Sequence, residues 1–407
     1  MIFKQDNIIV GLEVGTSKVC AVVGEAGPDS VANIVGVGKV PSHGVRKGEI
    51  VDSAKAEEDI RAAVAEAEKS ADIEIQSVLL GVTGNHIRGF NNRAVHNITS
   101  EEGEIGEDDV EDVMRQARNI SLPAENEIIH AVRQRFHVDR QEGIVSPVGM
   151  LGSRLEVDVH VVHGQRNRLQ NPIRRVRELQ LQVEAVVFNG RASAMSVLTR
   201  EQGEQGALLI DLGGGTTEFV AVTGGNHRHS GVLPVGGDHV TNDISVGLKI
   251  SNSRAEEVKL SHGRATPDST VNGGTLTFNS ELGLSDHSVK LEHLHTVMHA
   301  RLEEIFQLIR TDLEPTGILR ELHGGVYLTG GGSRVSGITE LASDVFGMPA
   351  AMARNQLDSG LQEVLGQPEY SSAIGLVKYG AQNLDNVRGR GPWRRFKNGL
   401  QRLVGRR

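Results

Sequence analysis

Asp211-Leu212-Gly213-Gly214-Gly215-Thr216-Thr217-Glu218 lies between the apolar runs 207–210 and 219–222, and its reading decides the fold. An apolar run, an acid, a glycine turn with hydroxyls and a second apolar run predict strand, tight turn, strand. The pattern occurs once before: Glu13-Val14-Gly15-Thr16-Ser17-Lys18 sits between the apolar runs 8–12 and 19–23. A third glycine loop, Thr329-Gly330-Gly331-Gly332-Ser333, follows the apolar run 326–328. One such loop alone is an ordinary hairpin turn. Three in order, each after a strand, point to a shared ligand. Two hairpins facing each other can grip a polyphosphate from both sides, and the third loop can lie against a nucleoside.

The chemistry suits that reading. Glycine lets backbone amides approach phosphate oxygens closely, and Thr16, Ser17, Thr216 and Thr217 add hydroxyl donors. Glu13 and Asp211 would repel a bare phosphate, so a cation between them is expected. Mg²⁺ fits, because it keeps several waters and needs only one or two carboxylates; Asp211 would hold it through water.

Composition sets the frame. A chain of 407 residues can build two or more lobes, each with a core. The single cysteine, Cys20, lies in an apolar strand and suits a reducing compartment and a packing role. No apolar run nears the roughly 18 residues needed to cross a bilayer, and the first residues do not read as a signal peptide. Charge is uneven. Residues 388–407 hold eight cations and no acid, so the rest of the chain carries −17 within a total of −9. An acidic body argues against nucleic acid as a partner.

The basic tail has a helical pattern. Trp393, Phe396, Leu400, Leu403 and Val404 fall at i, i+3, i+7, i+10 and i+11, an arc of about 100°. Arg394, Arg395 and Lys397 lie off that arc. A basic helix with Trp and Phe on one face is built to lie in an anionic membrane surface. Residues 383–391 read as a short linker before it. Elsewhere, strands are expected at 8–12, 19–24, 31–40, 77–82 and 157–162. Helices are expected at 53–70, from Glu107-Asp108-Asp109, and over 167–181 with Pro172 in its first turns. Gln180 stands where a helix-ending glycine is usual. His293, His295 and His299 read as a surface cluster rather than a metal site, with His227 and His229 a second small group.

The three loops resemble the nucleotide motifs of the actin, hexokinase and heat-shock chaperone superfamily. Within it the chain is most similar to the FtsA family of bacterial cell-division proteins. The residues that carry this are Ile9 to Lys18, Gly237-Asp238-His239-Val240-Thr241-Asn242-Asp243-Ile244, the stretch from Ala255 to Gly263, Tyr370 to Val377, and Arg135-Phe136-His137-Val138-Asp139. The resemblance runs from about residue 7 to the end and is weakest around 266–290.

The resemblance implies an α/β, actin-like two-lobed ATPase fold, with a displaced small subdomain in the first lobe and a C-terminal amphipathic helix. It divides the chain into 1–83 with 164–194 and 366–385, an insert at 84–163 used in self-association, 195–225 with 302–365, 226–301, a linker at 386–392 and the helix at 393–407. ATP and Mg²⁺ are the implied ligands, with Glu256 and Lys259, one helical turn apart, reaching the ribose and base, and Gly330 to Ser333 approaching the adenosine. FtsZ, gripped by its C-terminal tail near Arg301, is the implied partner, together with the cytoplasmic face of the membrane, further copies of the chain and other division proteins. In the chaperone branch a glutamate serves hydrolysis near an inter-lobe helix; here Phe188 to Ala194 contains no carboxylate, and Arg191 replaces an expected apolar residue. Slow or negligible turnover follows. A small-molecule kinase of the same superfamily would leave the C-terminal helix unexplained, and an MreB-like filament protein usually carries its membrane helix at the other end.

Overall fold

The computed structural model describes residues 7–27, 32–267, 274–278, 287–357, 360–361, 364 and 366–383. The linker and tail helix expected at 386–407, and most of the segment 266–286, lie outside these residues.

The first lobe begins with strands β1 (Ile8–Val14), β2 (Lys18–Ala26) and β3 (Ala32–Pro41). A small hairpin follows, β4 (Val45–Arg46) and β5 (Glu49–Ile50), then helix α1 (Ser53–Ala71) and β6 (Ser77–Val82). An inserted unit comprises β7 (Arg88–Asn97), α2 (Glu107–Arg118), β8 (Asn126–Val138), β9 (Gln141–Ile144) and β10 (Arg154–Gln165). The chain returns through α3 (Arg166–Glu178), β11 (Gln182–Phe188), α4 (Asn189–Val197) and α5 (Arg200–Gln205). The second lobe holds β12 (Ala207–Leu212), β13 (Thr217–Thr223), β14 (Asn226–Leu233), α6 (Gly237–Leu248), α7 (Asn252–His262), β15 (Thr275–Phe278) and β16 (His287–Lys290). It continues with α8 (Leu291–Leu313), β17 (Gly325–Thr329), α9 (Ile338–Phe346) and β18 (Ala350–Met352), and α10 (Ser371–Gln382) closes the described chain.

The two large sheets repeat one plan. Their orders are β11-β6-β1-β2-β3 and β14-β13-β12-β17-β18. In each, an antiparallel hairpin (β1/β2, β12/β13) has a parallel strand, β6 or β17, on its other side. The central strands read as continuous Val/Ile/Leu runs because helices cover both faces. Thus β12 and β13 are buried at every position. Cys20 faces the core beside Val22 and Ile34, and burial pushes its thiol up to about 12, so it behaves as a small apolar side chain.

Helices α4 and α10 cross beneath the cleft between the lobes. A Cβ on Gly375 would lie 1.8 Å from the Ala192 carbonyl oxygen, so only glycine permits this approach. The crossing brings Ser193 of α4 and Ser372 of α10 to the end of β12.

The insert is a sheet of order β7-β10-β8-β9 covered by α2. Strand β10 alternates as its sequence suggests, with Val157, Val159 and Val161 in the insert's core. The opposite face is only partly exposed to water, because part of it meets the second lobe. His160 is 1% exposed and its Nε2 lies 2.8 Å from Ser230 Oγ on β14. Gln134 donates to the His227 carbonyl oxygen (2.6 Å) and Asn91 to that of Arg228 (2.9 Å). The polar face of the insert is therefore a dock for the second lobe's edge strand.

Helix α1 is capped by Asp52, whose carboxylate accepts from the Lys55 N–H. Helix α3 carries Pro172 in its second turn and ends before Gln180, which takes φ 63°, the left-handed geometry usually given to glycine. His295 corrects the expected surface cluster: it is buried, its Nε2 3.0 Å from the His262 carbonyl oxygen, while His299 Nδ1 lies 2.8 Å from that of Ala265. These histidines tie α8 to the end of α7. No described helix is long and apolar enough to cross a membrane.

Candidate functional site

The cleft between the lobes has a volume of about 790 Å³, large enough for a nucleotide. Gly15, Thr16, Ser17 and Lys18 line it from the first hairpin, and Gly213, Gly214, Gly215 and Thr216 from the second. Gly330, Gly331 and Gly332 of the third loop join them, with Glu256 and Lys259 on α7. The hairpins form as they do because each turn closes on itself: Gly15 N–H donates to the Lys18 carbonyl (3.0 Å) and Gly213 N–H to that of Thr216 (2.9 Å).

Two expected contacts turn away from the cleft. Thr217 is fully buried and donates to the Val235 carbonyl at 2.7 Å. Ser333 is 1% exposed and donates to the Gly330 carbonyl at 2.7 Å, shaping the third loop from within. Alternation along β13 puts the neighbour of Thr217, Thr216, toward the cleft instead, while Ser333 turns inward within the 3-10 turn Gly331–Arg334.

The carboxylates are the most informative groups. Glu13 does not stand bare: Lys18 Nζ lies 2.7 Å from its Oε2. Burial opposes the Lys18 charge, but Glu13 beside it wins and holds the ammonium protonated. Asp211 accepts from Ser193 Oγ (2.5 Å) and Ser372 Oγ (3.1 Å). Burial, countered by Ser193 and reinforced by the Glu13 charge, pushes its carboxyl up to about 6. Glu218 is not among the contacts expected from sequence. It pairs with Asp211 across the β12/β13 hairpin, lines the cleft and accepts from Thr83 Oγ1. Burial, then repulsion from Asp211, pushes its carboxyl up to about 8.

Three buried carboxylates with one lysine make a donor set short of positive charge. A divalent cation would relieve that shortage; among the described residues no three such side chains stand close enough to chelate one directly, so Glu13 and Asp211 would hold magnesium through water. The nucleoside side fits as well. Lys259 Nζ lies 2.6 Å from Glu256 Oε2 and donates to Thr241 Oγ1 (2.9 Å), so the pair is held in place on the cleft wall. Leu260 is 75% exposed at that wall, an apolar surface for a base. Arg334 faces it, tethered by Glu369 at 3.2 Å.

The raised Glu218 carboxyl makes a stability prediction. Its folded value of about 8 exceeds its ordinary 4.5, so the folded chain holds a proton that the unfolded chain releases. The stabilising proton is fully present below pH 4.5 and lost as pH rises toward 8. Glu218→Gln should therefore stabilise the nucleotide-free chain by about 4 kcal/mol at pH 8 and by little near pH 4.5. Urea midpoints at the two pH values measure this. Equal shifts at both would show that burial of Glu218 carries no ionisation cost.

Comparison with known proteins now adds to this geometry. A family model described as cell division protein FtsA matches residues 208–375, and one described as the SHS2 domain inserted in FtsA matches 84–163. Cell division protein FtsA of Pseudomonas aeruginosa is 37% identical over 379 residues, covering 93% of this chain and 90% of that protein. Among solved structures, a PilM–PilN type IV pilus biogenesis complex aligns with TM-score 0.64 and 17% identity, over 92% of this chain and 98% of that one. MreB5 of Spiroplasma citri bound to ADP aligns with TM-score 0.57 and 14% identity, over 94% and 98%. The fold is therefore actin-like.

Proposed function

The chain belongs to the FtsA family of cell-division proteins, and from that premise we propose that it is an ATP-binding adaptor that tethers FtsZ filaments to the cytoplasmic face of the membrane at the division septum. The observation that carries the nucleotide half is the pair of glycine hairpins facing each other across the cleft, with Glu13, Asp211 and Glu218 beside them. Similarity in fold to a protein solved with ADP supports it. Residues Gly15 to Lys18 and Gly213 to Thr216 would hold the phosphates, Gly330 to Gly332 the adenosine, and Glu256 with Lys259 the ribose. Magnesium, when bound, would neutralise the polyphosphate.

The chain's own residues suit binding more than turnover. No carboxylate occurs in 188–194, where the chaperone branch places its hydrolytic glutamate. Phosphate release should be slower than about 1 per second, the low end for ordinary enzymes. A faster steady-state rate in a phosphate-release assay would sink the slow-turnover reading.

The membrane half rests on the sequence of the tail, residues 393–407. We assign self-association to 84–163 and the FtsZ tail to the face of α8 that carries Arg301. Arg301 Nε is held by Asp243 at 2.5 Å, and a terminal nitrogen pairs with the exposed Glu304. An acidic peptide would displace Glu304 from a guanidinium that is 27% exposed. Arg301→Glu should weaken the FtsZ tail peptide by about tenfold or more. Unchanged affinity in fluorescence anisotropy would remove Arg301 from the contact. Recruitment of other division proteins belongs to the same proposal.

A further inference from the structure

Helix α4 carries a cation that the nucleotide site does not account for. Arg191 is the third residue of α4, at a position where an apolar residue is expected. Its Cζ lies 5.5 Å from the centre of the Tyr379 ring on α10. Its Nε is buried without a hydrogen-bond partner among the described residues, although the residue as a whole keeps part of its surface in water.

The surroundings bring it no negative charge. Its nearest titratable neighbours are His130 on β8, His160 on β10 and His227 on β14. Burial and then the Arg191 charge hold the His130 and His227 imidazoles below their ordinary value, His227 down to about 3. Burial, then His229, then Arg191 lower His160 to about 3 as well. These rings are neutral at pH 7, so none repels the guanidinium and none pairs with it. Burial lowers the Arg191 value too, and among the described residues only the Tyr379 phenol opposes that. A cation withdrawn from water without a carboxylate is costly, and folded chains seldom leave one so.

The chain leaves the body beside this site. Asn383, just beyond α10, donates to the Tyr379 carbonyl through its N–H (3.1 Å) and its Nδ2 (2.9 Å). Asp385, outside the described residues, follows two residues later, so its Cα is within about 7 Å of that of Asn383. It is the only acid after Glu369. The cations of 388–407 follow it, and an acid ahead of a segment that meets an anionic surface needs a different role.

We propose that Arg191 receives the carboxylate of Asp385, so that the start of the linker is pinned against Tyr379 and α4. A guanidinium can hold a carboxylate through two N–H groups at once, which suits a pair that fixes a position. The free linker then runs from Asn386 to Pro392, seven residues that span at most about 25 Å. The body is thereby held within that distance of the segment 393–407, a consequence that rests on the membrane reading of the tail; the pair itself does not.

Trypsin cleavage after Arg388 under native conditions, followed by mass spectrometry on the full chain, tests the pair. Arg191→Met removes the charge and keeps an unbranched apolar stem on Tyr379; Asp385→Asn removes the acid with little change of size. Either variant should speed this cleavage by about fivefold or more, because cleavage follows the fraction of chains whose linker is free. The double variant should be cleaved no faster than either single one. Rates are referred to a free peptide of residues 383–393 with the same residue at 385, which removes the protease's own preference. Equal rates in the native chain and both variants would overturn the proposal. So would acceleration by one variant alone, or additive effects in the double variant. Urea midpoints give a second reading: Asp385→Asn should lower the midpoint of the native chain but not that of the Arg191→Met chain, and equal shifts in both would also overturn the pair.

Discussion

With valine at position 215 the chain should still fold but lose most of its affinity for ATP. A Cβ at Gly215 would lie 2.4 Å from Thr16 Oγ1, 2.8 Å from Thr16 Cγ2 and 2.9 Å from the Lys47 nitrogen. None of these groups can yield cheaply: Thr16 is bonded to Gly48, and the Lys47 nitrogen belongs to a two-residue turn. The added methyls must push the two hairpin tips apart. Over-packing of this kind costs about 1–3 kcal/mol, and here the displaced groups are the ones that would hold phosphate. ATP affinity should fall about ten- to a hundredfold, and Gly215→Ala should fall between valine and the native residue. The sheets beneath keep their cores, so far-ultraviolet circular dichroism should not change. Native affinity for ATP in the valine variant would show that the hairpin tips do not grip the nucleotide.

The second large effect concerns the tail. A chain ending at Gly391 loses Trp393, Phe396, Leu400, Leu403 and Val404 together with Arg394, Arg395, Lys397, Arg402, Arg406 and Arg407. Each cation near an anionic surface contributes about 1 kcal/mol, and the apolar face adds its burial. The body left behind is acidic, so it is repelled by the same surface. Sedimentation with phosphatidylglycerol vesicles should drop by about a hundredfold or more on truncation, and the full chain's binding should weaken with salt. If the truncated chain sediments as well as the full one, the membrane contact lies in the body.

The fold was legible where chemistry is local. Each glycine hairpin lies between apolar runs that form strands, whereas helix α3, expected to reach 181, stops at Glu178 because Gln180 is left-handed. Less was legible where partners are distant in sequence. The polar residues of β10 look solvent-facing, yet His160 meets Ser230, seventy residues on. His295 looks like a surface histidine but meets a carbonyl at the end of α7. Glu218 was readable in principle: it and Asp211 flank the same turn and pair across it, so one carboxylate in the cleft implied the other. Thr217 yields to strand parity, being next to Thr216, which faces the cleft, whereas Ser333 bonds back to Gly330 inside a 3-10 turn, a contact no periodicity announces.

The central claim is that this chain joins FtsZ to a membrane. The direct test is sedimentation of purified FtsZ with anionic vesicles and ATP, in the presence of the full chain or of the chain ending at Gly391. FtsZ should pellet with the vesicles only when the full chain is present. If FtsZ remains in solution while the full chain itself pellets, the tether is contradicted.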